Sequence, residues 1–325
     1  MAFDFDAAVT APFRMQPGLR RLAPGTAQFT PSVVPHRGVA RHLREKLAVL
    51  WAFRAQALCS VPGFDAGAAL QALARHAAAE HPDALRLNGE AWHAPWLGWS
   101  LDADDTPHQT GTDWPEIGTL LRETPPAWRR AALLSLAFAE DFAVVDAATG
   151  TIPWLAVALP SMWAPEEKVG QSFASVHAPV ADAELVRQAA PQLVRLVTGA
   201  ERWERFVWTL TAHPRLHAHP QRVPPERWAA GLSGDALARQ TWFRTERQTF
   251  IPVGDADAAG ARSPGQAVFT ILVDTQRMDL ALADPARAAK VHDALASMSD
   301  AVLAYRGLTA VQRPLLGWLA DRARG

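Results

Sequence analysis

Three short stretches of this 325-residue chain carry side chains able to do chemistry. KVGQSFASVHAPV (168–180) holds His177, with Pro179 two positions on and small residues around it. A lone histidine in apolar company is more often a hydrogen-bonded core residue than a ligand, and the pattern alone leaves both open. Ala174, Ser175 and Ala178 leave room for a flat macrocycle to approach a neutral imidazole, as a proximal haem ligand requires. WFRTERQTF (242–250) reads as a strand on which alternation puts Arg244, Glu246 and Gln248 on one face and Thr245, Arg247 and Thr249 on the other. Such a strand is either a surface edge whose charges pair in water for ~0 to 1 kcal/mol each, or a buried one whose charges need designated partners. In AHPRLHAHP, His213 and His217 have the spacing of metal ligands on a helix, but Pro214 and Pro220 break that helix and no acid is near in sequence, so a solvated loop is expected. GLSGD (231–235) and GQSFA (170–174) only approximate a nucleophile elbow, and neither follows an apolar strand into a helix.

The elements around these stretches are legible from periodicity. Residues 1–39, with five prolines and little periodicity, read as an extended arm whose Phe3, Phe5, Phe13 and Phe29 need burial. Helices are expected over ARHLREKLAVLWAFRAQAL, a helical pattern taken to include Cys59, and over GAALQALARHAAAEH. The tract 82–126, broken by prolines, reads as irregular with short extended pieces, and a helix follows over 127–140. FAVVDAATG and IPWLAVALP make a hairpin, and residues 182–198 a helix with Asp182 as cap and Pro191 as kink. RFVWTLTAH, LARQTWFRTERQTF and QAVFTILVDT read as strands, and two helices close the chain. Helices first, about five antiparallel strands in the middle and helices last make an α+β fold, here taken as one domain over 1–325, without the βαβ rhythm or the glycine-rich loops of nucleotide-binding folds.

Composition narrows the function classes. Thirty-two basic against 33 acidic residues give no electrostatic footprint for nucleic acid or anionic lipid. Cys59, the single cysteine, excludes an intramolecular disulfide and a thiolate cluster. With no signal-like N-terminus and no span-length apolar run, the chain reads as soluble and cytoplasmic. Only Lys46, Lys168 and Lys290 are lysines, so planar guanidinium groups suited to carboxylates carry most of the positive charge.

Several stretches taken in order resemble the haem-dependent oxidative N-demethylase family: EDFAVVD, LPSMWAPEEKVGQSFASVHAPV, FVWTL, FRTERQTF with QAVFTI, and Tyr305 in a late helix. The resemblance runs over most of the chain from about residue 40. It implies a PAS-like antiparallel sheet enclosing haem b, with terminal helical elaborations. It also implies oxidation of a small secondary amine such as dimethylamine with O2 and electrons from a separate reductase carrying flavin and an iron–sulfur centre. His177 matches the family's histidine and is the expected axial ligand. Arg244, Arg247 and Lys168 are the expected cofactor contacts, Glu246 the expected base, and Gln248 and Trp208, with Glu246, the expected substrate contacts. Relatives usually read FTIRTY where this chain has FTILVD, so Leu272 and Asp274 stand where an arginine and a tyrosine are expected. Val207 replaces an asparagine before Trp208, and Ala181 a proline, and these departures imply that haem is kept while the family's substrate is lost or changed. A non-catalytic haem protein binding O2, CO or NO, and a haem-free α+β protein, are the competing expectations; a homo-oligomer is left open.

Overall fold

The computed structural model describes residues 3–35, 38–112, 114–176, 181, 184–223, 228–254 and 265–325. Seven strands form one antiparallel sheet: β1 (Arg20–Arg21), β2 (Leu58–Ser60), β3 (Asp141–Asp146), β4 (Thr151–Ala156), β5 (Trp203–Thr211), β6 (Trp242–Pro252) and β7 (Gln266–Arg277), in the order β1-β5-β6-β7-β3-β4-β2. The expected sheet of about five strands is therefore too narrow. The five long strands are contiguous, and the two additions are edge strands of two and three residues, too short to show an alternation. β2 was hidden further by the helical pattern before it. That pattern gives α1 (Arg41–Ala52) and a four-residue turn, Arg54–Ala57, after which Leu58–Ser60 pairs with β4, so Cys59 lies on a strand and not in a helix.

The other elements surround this sheet. α2 (Gly67–Glu80) follows, and in residues 82–126, expected to be irregular with short extended pieces, those pieces pair into a second sheet of four short strands between Arg86 and Gln109, followed by α3 (Pro115–Glu123), which was not expected. α4 (Pro126–Ala137) buries both sides and leads straight into β3. The expected kinked helix is two helices, Glu184–Gln188 and α5 (Ala190–Val197): Pro191 sits in the first turn of α5, where its missing N–H is no loss. The expected cap, Asp182, lies outside the described residues. The first of the two expected C-terminal helices is split into α6 (Pro285–Ala296) and α7 (Asp300–Tyr305), because the run is interrupted at Ser297–Met298, and the second is α8 (Gln312–Ala323).

The N-terminal arm is tied down by its aromatics. Phe5 joins a core with Trp208, Phe243 and the C-terminal helices, and Phe29 joins the main core against Phe138. Lys46, fully buried on α1, links helix to sheet by donating to the carbonyls of Phe138 and Glu140 and pairing with Asp141 at 3.1 Å. Among the described residues no helix is long and apolar enough to cross a membrane.

Candidate functional site

β6 lies inside the sheet between β5 and β7, not at an edge, and it buries Arg244 on one face and Arg247 on the other, so the surface-strand reading does not apply. Register sorts the side chains. Trp203, Arg205, Val207 and Thr209 of β5 share a face with Arg244, Glu246, Gln248 and Phe250 of β6, while Glu204, Phe206, Trp208, Arg247 and Thr249 face the other way.

The two ends of the first face are covered. Trp203, Phe250 and Phe269 pack at one end against Val194 and Val197 of α5 and against Phe173 of the short helix Phe173–Val176. At the other end Arg244, only 2 % exposed, donates through Nε to Ser161 Oγ at 2.9 Å. Its Nη atoms donate to the carbonyls of Arg215 and Leu216 at 2.8 Å each and of Pro160 at 3.3 Å. Five donors in a rigid fork suit this task, in which one side chain pins two loops to the sheet. Between these ends lie Arg205, Val207, Glu246 and Gln248, all half-buried. Gln248 is the cross-strand partner of Arg205, and its Nε2 donates to Glu246 Oε2 at 2.6 Å.

Electrostatics single out two neighbours of Glu246. Burial pushes the Arg205 guanidinium below the usual arginine range, and the attraction of Glu246 offsets only part of that. Tyr305 is 48 % exposed, and its phenol is raised first by partial desolvation, against the opposing pull of Arg306, with Glu246 pushing it further up. The late tyrosine is thus in the field of the carboxylate that the sequence singled out, although α7 and β6 are far apart along the chain.

The sequence-expected residues divide into two groups. Glu246, Gln248 and Arg244 come together on one face. Arg247 and Trp208 are on the other: Arg247 pairs with Glu204, and Trp208 stacks on Phe243 at 5.6 Å and donates from Nε1 to the Ala8 carbonyl. Lys168 donates to the carbonyl of Val176 at 3.4 Å, bracing the last residue before His177. His177 itself lies outside the described residues, as does Pro179. The residue that sequence reasoning missed is Arg205; the available signal was an arginine alternating with Trp203 and Val207 in a strand dominated by aromatics.

The histidine cluster differs from the expected solvated loop. His219 is 1 % exposed and its Nε2 is 3.1 Å from Glu166 Oε1; His217 stacks on it with its Nδ1 2.7 Å from the Ala158 carbonyl. Acids distant in sequence are close in space, for Glu45 Oε2 also accepts the backbone N–H groups of Leu216 and His217. Among the described residues no group of three or more His, Cys, Asp or Glu side chains is arranged to hold a metal ion.

One comparison bears on this geometry: the family model described as haem-dependent oxidative N-demethylase, alpha subunit-like, matches residues 68–316, a span that runs from the second residue of α2 past α7 and contains every residue of the candidate face. Since the match covers well over half of the chain, this protein belongs to the haem-dependent oxidative N-demethylase alpha subunit-like family.

Proposed function

We propose that the chain is the haem-carrying subunit of an oxidative N-demethylase acting on a small secondary amine, fed with electrons by a partner reductase that carries flavin and an iron–sulfur centre. The observation that carries this reading is the middle of the candidate face: a carboxylate, Glu246, beside buried N–H groups of Trp203 and Arg205 that have no acceptor among the described residues. Orphaned buried donors fit a group that presents anionic oxygens at its rim, and haem b does so through its propionates. The residues present therefore fit the cofactor that the family name implies. His177 would hold the iron, with Lys168 steadying the chain just before it. Arg244 and Arg247 would act at the cofactor's edges through the segments they pin, since their guanidinium groups are engaged with carbonyls and with Glu204.

Haem bound there would supply the oxidising chemistry, in which dimethylamine, O2, two electrons and two protons give methylamine, formaldehyde and water. The protein supplies position and proton control. Glu246, steadied through Oε2 by Gln248, takes an ammonium N–H on its other oxygen, fixes the amine over the sheet and accepts the proton that must leave before the nitrogen substituent is oxidised. Trp208, behind the sheet, would shape the substrate end by fixing the β5 backbone through its bond to the arm. Val207, opposite Glu246, presents an apolar surface where relatives place an amide, which favours a methyl group there.

The test is spectroscopic and then catalytic. Purified protein should show a Soret band that His177→Ala abolishes, and should release formaldehyde from dimethylamine with added reductant. Glu246→Gln should keep the Soret band and lower turnover by 10²–10⁴-fold. An unchanged spectrum in His177→Ala removes the ligand assignment, and haem-loaded protein silent toward every amine tried leaves an O2- or CO-binding protein.

A further inference from the structure

Trp203 Nε1 and Arg205 Nε are buried donors with no hydrogen-bond partner among the described residues. They are two residues apart on β5, so both side chains stand on the face of Glu246, with about 7 Å along the strand between their Cα atoms. A buried donor left unpaired costs about 1–3 kcal/mol, and more when it is charged. Two of them side by side call for an absent acceptor. The cations of β6 do not share this property, because Arg244 is committed to carbonyls and Arg247 to Glu204. Glu246 does not fill the need either. It sits opposite Val207, one step along the strand pair from Arg205, and is held by Gln248.

We infer that Arg205 and Trp203 form a carboxylate-binding subsite beside Glu246. The planar guanidinium takes a carboxylate oxygen through charge-assisted N–H bonds, and the indole, a donor only, supplies a further one. A cation on Glu246 and an anion on Arg205 then lie next to each other on one sheet face. The carboxylate has two sources: a porphyrin propionate, or the acid group of an N-methylated amino acid whose ammonium rests on Glu246. The inference rests on the demethylase reading for the second source and only on the two orphan donors for the first.

The test uses the full chain, ligand-free, with Arg205→Gln, Arg205→Lys and Trp203→Phe. In one arm, tryptophan fluorescence follows titration with iron-free protoporphyrin IX and with its dimethyl ester, neither of which needs an iron ligand. In the other, thermal melting is followed with N-methylglycine and with dimethylamine. If propionate is the source, Arg205→Gln weakens binding of the free acid roughly ten- to hundredfold and leaves the ester unchanged, with Arg205→Lys between. If substrate is the source, the wild type is stabilised by N-methylglycine more than by dimethylamine and Arg205→Gln loses that difference. The inference is overturned if neither arm responds to Arg205, or if Arg205→Gln alone melts lower than the wild type, which would make the guanidinium structural. A wild type that takes up no haem while either Arg205-dependent response survives removes the demethylase reading and keeps the subsite; a haem-loaded wild type indifferent to Arg205 does the reverse.

Discussion

Arg247 donates through both Nε and Nη2 to one oxygen of Glu204, at 3.1 and 2.9 Å, while the other oxygen of Glu204 accepts from Arg20 Nε at 3.0 Å. Side chains of Glu204 and Arg247 are 7 % and 5 % exposed, so this pair holds β1, β5 and β6 together in a dry environment. Removing one partner of a buried pair strands the other charge. Glu204→Ala is expected to lower the unfolding free energy by about 3 kcal/mol, read from the urea midpoint at constant m. The outer link, Arg20 with Asp4, is half exposed, and Asp4→Ala is expected to shift stability by less than about 1 kcal/mol.

The contrast between Arg247 and Arg205 marks how far the sequence could be read. Alternation along FRTERQTF assigned the faces of β6 correctly, because a period of two is fixed by backbone geometry. It could not say which arginines had partners, since Glu204 is 43 residues from Arg247 and the carbonyls that hold Arg244 come from two loops. Leu58–Ser60 was invisible as a strand because three residues after a strong helical pattern show no period of their own. The histidines of AHPRLHAHP looked solvated for a similar reason: Glu45 and Glu166, which enclose them, belong to distant segments. Local periodicity reached the elements, and nonlocal pairing settled the site.

Burial pushes the Glu140 carboxyl up to about 7, against the opposing pull of the Thr30 N–H and of Lys46. Its folded value thus lies above its unfolded one, near 4.5. Glu140 binds a proton in the native state that it has released in the unfolded chain between these values. Its contribution is full below pH ~4.5, falls through pH 7, and amounts to about 3 kcal/mol across that window. Half-buried His213, His42 and His217, whose values are lowered by desolvation, act with the opposite sign, so the wild-type curve alone does not isolate Glu140. The difference does: Glu140→Gln, which keeps the acceptor for Thr30, is expected to gain stability relative to the wild type as pH rises from 5 to 8. Parallel melting curves for the two proteins over this range would refute the assignment.

Arg244→Lys keeps the charge and loses the fork. An ammonium has three donors and cannot meet four acceptors spread over Ser161, Pro160, Arg215 and Leu216. Several buried carbonyls lose their partner, and a cost of about 2–4 kcal/mol is expected. Hydrogen exchange should locate it, with faster exchange at the N–H groups of Met162 and Ala218, which bond across the same two loops.

Gly118 on α3 lies under the indole of Trp99. A Cβ there would meet the Trp99 ring at 1.8 Å, and the ring is 2 % exposed, its Nε1 donating to the Trp114 carbonyl. The ring cannot swing aside without breaking that bond and opening the core. Gly118→Ala, which in an open helix would gain up to about 1 kcal/mol, is expected here to destabilise by about 3 kcal/mol or more. Gly317 in α8, where a Cβ meets nothing within 4 Å, is the internal control. Gly317→Ala should raise the melting temperature, and only a drop at Gly118 alone supports the packing argument.

Lys168 links stability to the proposed cofactor. Its ammonium donates to the Val176 carbonyl at the end of the Phe173–Val176 turn, one residue before His177, and that turn is fixed at its other side by the Phe173 N–H on the Gly150 carbonyl. A single hydrogen bond of this kind contributes about 0.5–1.5 kcal/mol. If His177 holds the iron, Lys168→Met loosens the approach to the ligand without removing it, and the rate of haem transfer to a scavenger should rise about two- to tenfold with the Soret maximum unmoved. His177→Ala differs in kind, since the ligand itself is lost. Haem loss at the wild-type rate in Lys168→Met would show that the Val176 turn does not support the iron ligand.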